Sequence, residues 1–133
     1  MIALVPKPSP SAADLKVHRS YCVLSLSAIK QAAANGDPLR TFSAFEGRWE
    51  EEREVLARLA RAYVSAPDAP YLFVDIQEDG TYEILPPEEL REALRHLRDI
   101  EIEAQRQSDL EQGFITEAGE FEPHDEDWTA GVF

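Results

Sequence analysis

The side chains equipped for chemistry are few and scattered. His18 and Cys22 stand four residues apart, a spacing that would put both on one helix face as metal ligands, or on one face of a strand. No second ligand pair accompanies them, so an ordinary, partly buried thiol is the simpler expectation. His124-Asp125-Glu126-Asp127 offers nitrogen and oxygen donors but lacks the alternating ligands and the glycine of a calcium loop. The glycines stand apart, at 36, 47, 80, 113, 119 and 131, so no phosphate-cradling loop is present. No G-x-S-x-G elbow supports a serine nucleophile, and carboxylates are too numerous for a pair to stand out. The expectation is a protein that is not an enzyme, with no metal and no cofactor. An enzyme would need a polar pocket around His18, Cys22 or Glu101.

The more informative constellation joins acids to aromatics. The segment Phe121 to Phe133 (FEPHDEDWTAGVF) carries Glu122, Asp125, Glu126 and Asp127 together with Phe121, Trp128 and Phe133. Acids speed encounter with a basic surface, and aromatics supply the buried anchor of an interface. A second acidic set is Glu46, Glu50, Glu51 and Glu54; if one helix carries them, Glu46, Glu50 and Glu54 follow at i, i+4 spacing, about 6 Å apart. These eleven residues are the candidate partner-binding set. The tail has two readings. Its acids and Trp128 dock on a face made by Arg91, Arg95, Arg98 and Arg106 of the same chain, or they meet another protein.

Overall charge narrows the partners. The chain of 133 residues has 13 Lys plus Arg against 26 Asp plus Glu, a formal net of −13. Arg106 is the last basic residue, and eight acids follow it, so −8 lies in the last 27 residues. This balance repels the phosphate backbone and anionic lipid, which disfavours direct binding to nucleic acid or membrane. Basic protein surfaces remain, including those of nucleic-acid-binding proteins. The functional expectation is an acidic inhibitor or antagonist that occupies such a surface, of the phage anti-restriction, anti-CRISPR or antitoxin and immunity kind. The alternative is a structural adaptor or accessory subunit that clasps a larger protein through its arm and tail. A single cysteine, Cys22, and no apolar run of membrane-spanning length predict a reducing, cytoplasmic setting.

Several elements must position these residues. Pro6, Pro8 and Pro10 predict an extended arm over residues 1–13. Tyr21, Val23, Leu24 and Leu26 suggest a short strand at about 19–25, running into a helix that ends at Asn35-Gly36. Asp37-Pro38 and the Ser43 to Glu46 capping pattern predict a helix over about 38–65, kinked or divided at Gly47, with Phe42, Phe45, Trp49, Leu56, Leu59 and Tyr63 on its buried stripe. Glu52 falls inside that stripe, with Arg48 as its expected partner, and Pro67 and Pro70 end the helix. Tyr71 to Gln77 alternates as a strand. The apolar register then favours a three-residue loop at 78–80 with Gly80 left-handed, pairing Ile76 with Tyr82 and Val74 with Ile84. Pro86-Pro87-Glu88-Glu89 opens a helix over about 87–112 with Leu90, Ala93, Leu94, Leu97, Ile100 and Ala104 inward and the four arginines outward; Glu101 interrupts its stripe. The sum is a single α+β domain, a short antiparallel sheet packed by two long helices, with residues 14–112 as core and 113–133 as tail. A mostly helical domain with one hairpin is the runner-up.

Overall fold

The computed structural model describes residues 1–66 and 68–133. Strands β1 (Ile2–Pro6), β2 (Arg40–Phe42), β3 (Tyr71–Ile76) and β4 (Tyr82–Ile84) form one antiparallel sheet in the order β2-β1-β3-β4. The helices are α1 (Ala12–Arg19), α2 (Leu26–Asn35), α3 (Trp49–Ser65) and α4 (Pro87–Glu111), and a short 3-10 turn follows at Ala118–Glu120. The fold is α+β, as expected.

Each strand alternates its side chains between the two faces of the sheet. Ile2, Leu4, Tyr71 and Phe73 join Phe42 and Leu85 in the main core, together with Leu56 and Leu59 of α3 and Leu90 and Leu94 of α4. Ala3, Val5 and Val74, with Ile76 against them, form a second small cluster. Phe73, Leu56, Leu90 and Leu94 are fully buried, and each such side chain contributes roughly 1.5–3 kcal/mol. Phe73→Ala would be the most damaging single truncation here, at about 3–5 kcal/mol. Two hydroxyls tie α3 to the strands: Tyr71 donates to the Leu59 carbonyl at 3.1 Å and Tyr63 to the Leu85 carbonyl at 3.0 Å.

The hairpin has the expected register, Ile76 opposite Tyr82 and Val74 opposite Ile84. Gln77 N–H donates to the Thr81 carbonyl, and Gly80 sits at φ +83°, a conformation that glycine adopts without steric cost. Helix α4 also agrees, opening at Pro87 with Glu88 and Glu89 in its first turn.

The first half of the chain departs from expectation. The extended arm over 1–13 does not exist as such: Ile2–Pro6 is an inner strand between β2 and β3, buried on every residue. Pro6 ends that strand, and a continuous apolar run buried on both faces shows no alternation to read. The following residues start α1, where Ser11 and Asp14 cap reciprocally at 3.1 and 3.0 Å. No strand forms at 19–25; Ser25 there caps α2. The helix expected from 38 begins at Trp49 instead. Asp37 and Pro38 belong to the turn out of α2, Phe42 lies in β2, and Ser43 to Glu46 is a turn closed by Glu46 N–H to the Ser43 carbonyl. Pro67, one of the two prolines expected to end α3, lies outside the described residues.

Candidate functional site

Two charge-rich regions meet around α3 and α4. One is a buried network that fixes the tail; the other is an open acidic surface.

The network centres on Glu101. Its stripe position on α4 makes it face α3, and only 9% of the residue is exposed. One carboxylate oxygen accepts from the Trp49 indole at 3.1 Å and from Arg53 at 2.5 Å; the other accepts from the Trp128 indole at 2.5 Å. Arg53 then donates to Asp125 at 2.8 Å, and Arg98 donates to the other oxygen of Asp125 at 2.8 Å. Gln105 adds a bond to Asp125 at 3.2 Å. Burial works against the Asp125 charge, but the hydrogen bonds from Arg98, Arg53 and Gln105 outweigh it and hold the carboxyl at about 2. Two carboxylates thus answer two guanidinium groups, so the charges are compensated where water is scarce.

From Asp125 the tail runs back along the two helices. Trp128 is 4% exposed and meets Trp49 edge-on at 5.7 Å. Arg61 of α3 donates to the Ala130 carbonyl at 2.8 Å, and Arg91 of α4 donates to the Val132 carbonyl at 3.0 Å. The Arg95 guanidinium lies 4.4 Å from the centre of the Phe133 ring. Gly131 sits at φ +84°, and a Cβ there would come within 3.1 Å of Arg61 Cδ, so this crossing requires glycine. Of the two readings of the tail, the docked one describes what is seen, with two corrections. Arg106, expected in the docking face, pairs with Glu103 of its own helix and not with the tail. Arg98, expected on a solvated face, is buried, and α4 turns Ile100 and Ala104 outward instead. The buried line passes through Leu94, Arg98 and Glu101.

The open surface begins at Phe45. This residue has φ +65°, which costs energy for a bulky side chain, and it remains 47% exposed with its ring edge-on to Trp49. Ile100, 40% exposed, lines the same shallow groove of about 350 Å³, with Arg53 and Glu101 at its base. Glu50 lines this groove too, and Glu46, Glu51 and Glu54 are exposed on the same stretch of chain. Glu46 precedes the helix, so the regular i, i+4 row holds only for Glu50 and Glu54. Glu51 pairs with Arg48, whereas Glu52 pairs with Arg40 at 2.8 Å rather than with Arg48. In the tail, Glu122, Glu126 and Asp127 are exposed and Phe121 is half-buried.

The sequence-derived set therefore divides. Asp125, Trp128 and Phe133 contact the chain itself, while Glu46, Glu50, Glu54, Glu122 and Glu126 face solvent. Arg53, Arg61, Ile100 and the exposure of Phe45 escaped sequence reasoning. Only Glu101, a carboxylate interrupting an apolar stripe, signalled the network. The charge is also unevenly divided along the chain. The first 40 residues carry five basic against two acidic residues, and the other 93 carry eight against 24.

The sparse chemical candidates find structural partners. His18 is fully buried, its Nδ1 2.6 Å from the Tyr21 hydroxyl, and burial lowers its pKa although Asp14 acts the other way. His124 contacts Asp109 at 2.9 Å. Among the described residues, no three His, Cys, Asp or Glu side chains converge as a metal site, and no helix is long and apolar enough to cross a membrane. Compared with protein-family models, curated proteins and solved structures, the chain matches none.

Proposed function

We propose that this chain is a non-enzymatic binding protein whose acidic surface occupies a basic, nucleic-acid-binding surface of a partner protein, as an inhibitor or antagonist. The observation that carries the reading is Phe45. A large aromatic side chain is left 47% exposed by a strained backbone, on the same groove as Ile100 and Glu50, with Glu46 next to it in sequence and Glu51 and Glu54 exposed on the adjoining helix α3. Acids around an apolar anchor combine electrostatic steering with a desolvated contact. Glu122 and Glu126 extend the same sign of charge along the tail. The adaptor alternative would use the arm over 1–13 and the tail over 113–133. It has less support because residues 2–6 and 125–133, which hold most of the apolar anchors of those segments, pack within this chain, while 113–123 are mostly exposed.

The test is affinity capture with the intact protein, with E50K/E51K/E54K and with Phe45→Ala, at low and high salt. The proposal expects a basic partner retained at low salt, released at high salt, lost with the charge-reversed variant and weakened at least tenfold by Phe45→Ala. A partner held equally well by all three proteins would overturn it.

A further inference from the structure

A cleft of about 400 Å³ opens at the end of the sheet where β1 begins and β3 finishes, between the strands and helices α3 and α4. That volume lies in the range of small-molecule sites. Its walls include Ile2, Phe42, Trp49, Leu56 and Leu85, residues of the main core, so the cleft reaches into the interior and is not a surface dimple. Ala93 and Leu97 of α4 form the opposite side.

Polar groups are few, and one of them is a charge without an ion-pair partner among the described residues. Asp75 lines the cleft, but the amino group of Met1 answers its charge at 3.0 Å. Glu46 lines it too, is exposed, and makes no ion pair among the described residues. Ser43 and His96 complete the polar lining. An apolar interior with one unanswered carboxylate selects a ligand of matching shape and charge. An anion would be repelled by Glu46, and a neutral apolar molecule would leave that carboxylate unused.

We propose that this cleft binds a small amphiphilic cation, its apolar body inside and its ammonium or guanidinium group beside Glu46. The inference stands on the cleft itself and shares only Glu46 with the partner-binding surface, so its test needs no partner.

The experiment is an amide NMR titration of the intact protein with octylamine, octanol and octanoate, which share one apolar body. The amine is expected to bind at least tenfold more tightly than octanoate, with shifts concentrated at Ser43 to Glu46 and Leu97. Glu46→Gln is expected to bring the amine down to the affinity of the alcohol, leaving the alcohol unchanged. Ala93→Phe, which fills the cleft, is expected to remove binding of all three; Ala44→Leu does the same from another wall if the first variant unfolds. Equal affinity for amine and octanoate, shifts mapping elsewhere, an amine preference that survives Glu46→Gln, or no binding of any of the three would overturn the proposal.

Discussion

Acidic side chains serve opposite ends in two parts of this molecule that lie only a helix turn apart. Glu101 and Asp125 are held by Arg53 and Arg98, and two indoles donate to Glu101, so their charge is spent on fixing one arrangement of α3, α4 and the tail. Glu50 and Glu54, on the outer face of the same α3, meet water. A buried charge that loses its partner is costly, whereas an exposed one is screened by solvent and salt. The first region therefore governs stability, the second is free to serve the encounter with a basic partner that the proposed function calls for, and mutation should separate the two cleanly.

The largest effect is expected from Glu101→Ala, which leaves Arg53 with Asp125 alone and the indoles of Trp49 and Trp128 without their acceptor. It should cost about 3–5 kcal/mol in urea unfolding. A loss under about 1 kcal/mol would mean that the network does not fix the tail. Acid comes next, and it should act in two steps. His18 has a lowered pKa in the fold, so the unfolded chain binds its proton first and stability falls as pH drops below about 6.5. Asp125 is held at about 2 against an ordinary 3.8, so its contribution is present above 3.8 and lost as pH falls from there to 2. About a third of its side chain meets water, which limits that second step to about 1–2 kcal/mol. Denaturation followed against pH should lose the first step in His18→Phe and the second in Asp125→Asn.

Gly131→Ala should cost about 1–2 kcal/mol, since it forces a positive φ on alanine and crowds Arg61. Thermal unfolding measures it, and an unchanged midpoint would show that the tail crosses Arg61 differently. The smallest effect belongs to the exposed face. Glu50→Lys with Glu54→Lys should alter stability by less than about 0.5 kcal/mol while slowing association with a basic partner. A large stability change there would erase the contrast between the two regions.

What could be read in the sequence was local. Helix α4 and the 71–85 hairpin carry their own start signals, turn glycine and apolar register, and both form as expected. The strand β1 could not be read, because Ile2 to Pro6 is apolar throughout and its partners lie in β2 and β3, far along the chain. The Ser11 and Asp14 cap of α1 follows three closely spaced prolines, whose pattern argues for extended chain. The groove that receives Trp128 is built by α3 and α4, whose facing residues, such as Arg53 and Glu101, are 48 positions apart. No periodicity within either helix announces that meeting. Phe45 fits a helical stripe by spacing, and only the turn at Ser43 to Glu46 carries it out to solvent.

The place of β1 between β2 and β3 has a consequence for synthesis. Ile2 pairs with Asp75, and Val132 near the far end packs in the same core as Leu4. During translation β1 leaves the ribosome long before β3, its main partner, and the core gains Trp128 and Val132 later still. Such distant pairings slow folding, because loop closure precedes the contacts that reward it. Until β3 emerges, an apolar strand waits with an unpaired edge, a state prone to association and suited to chaperone capture.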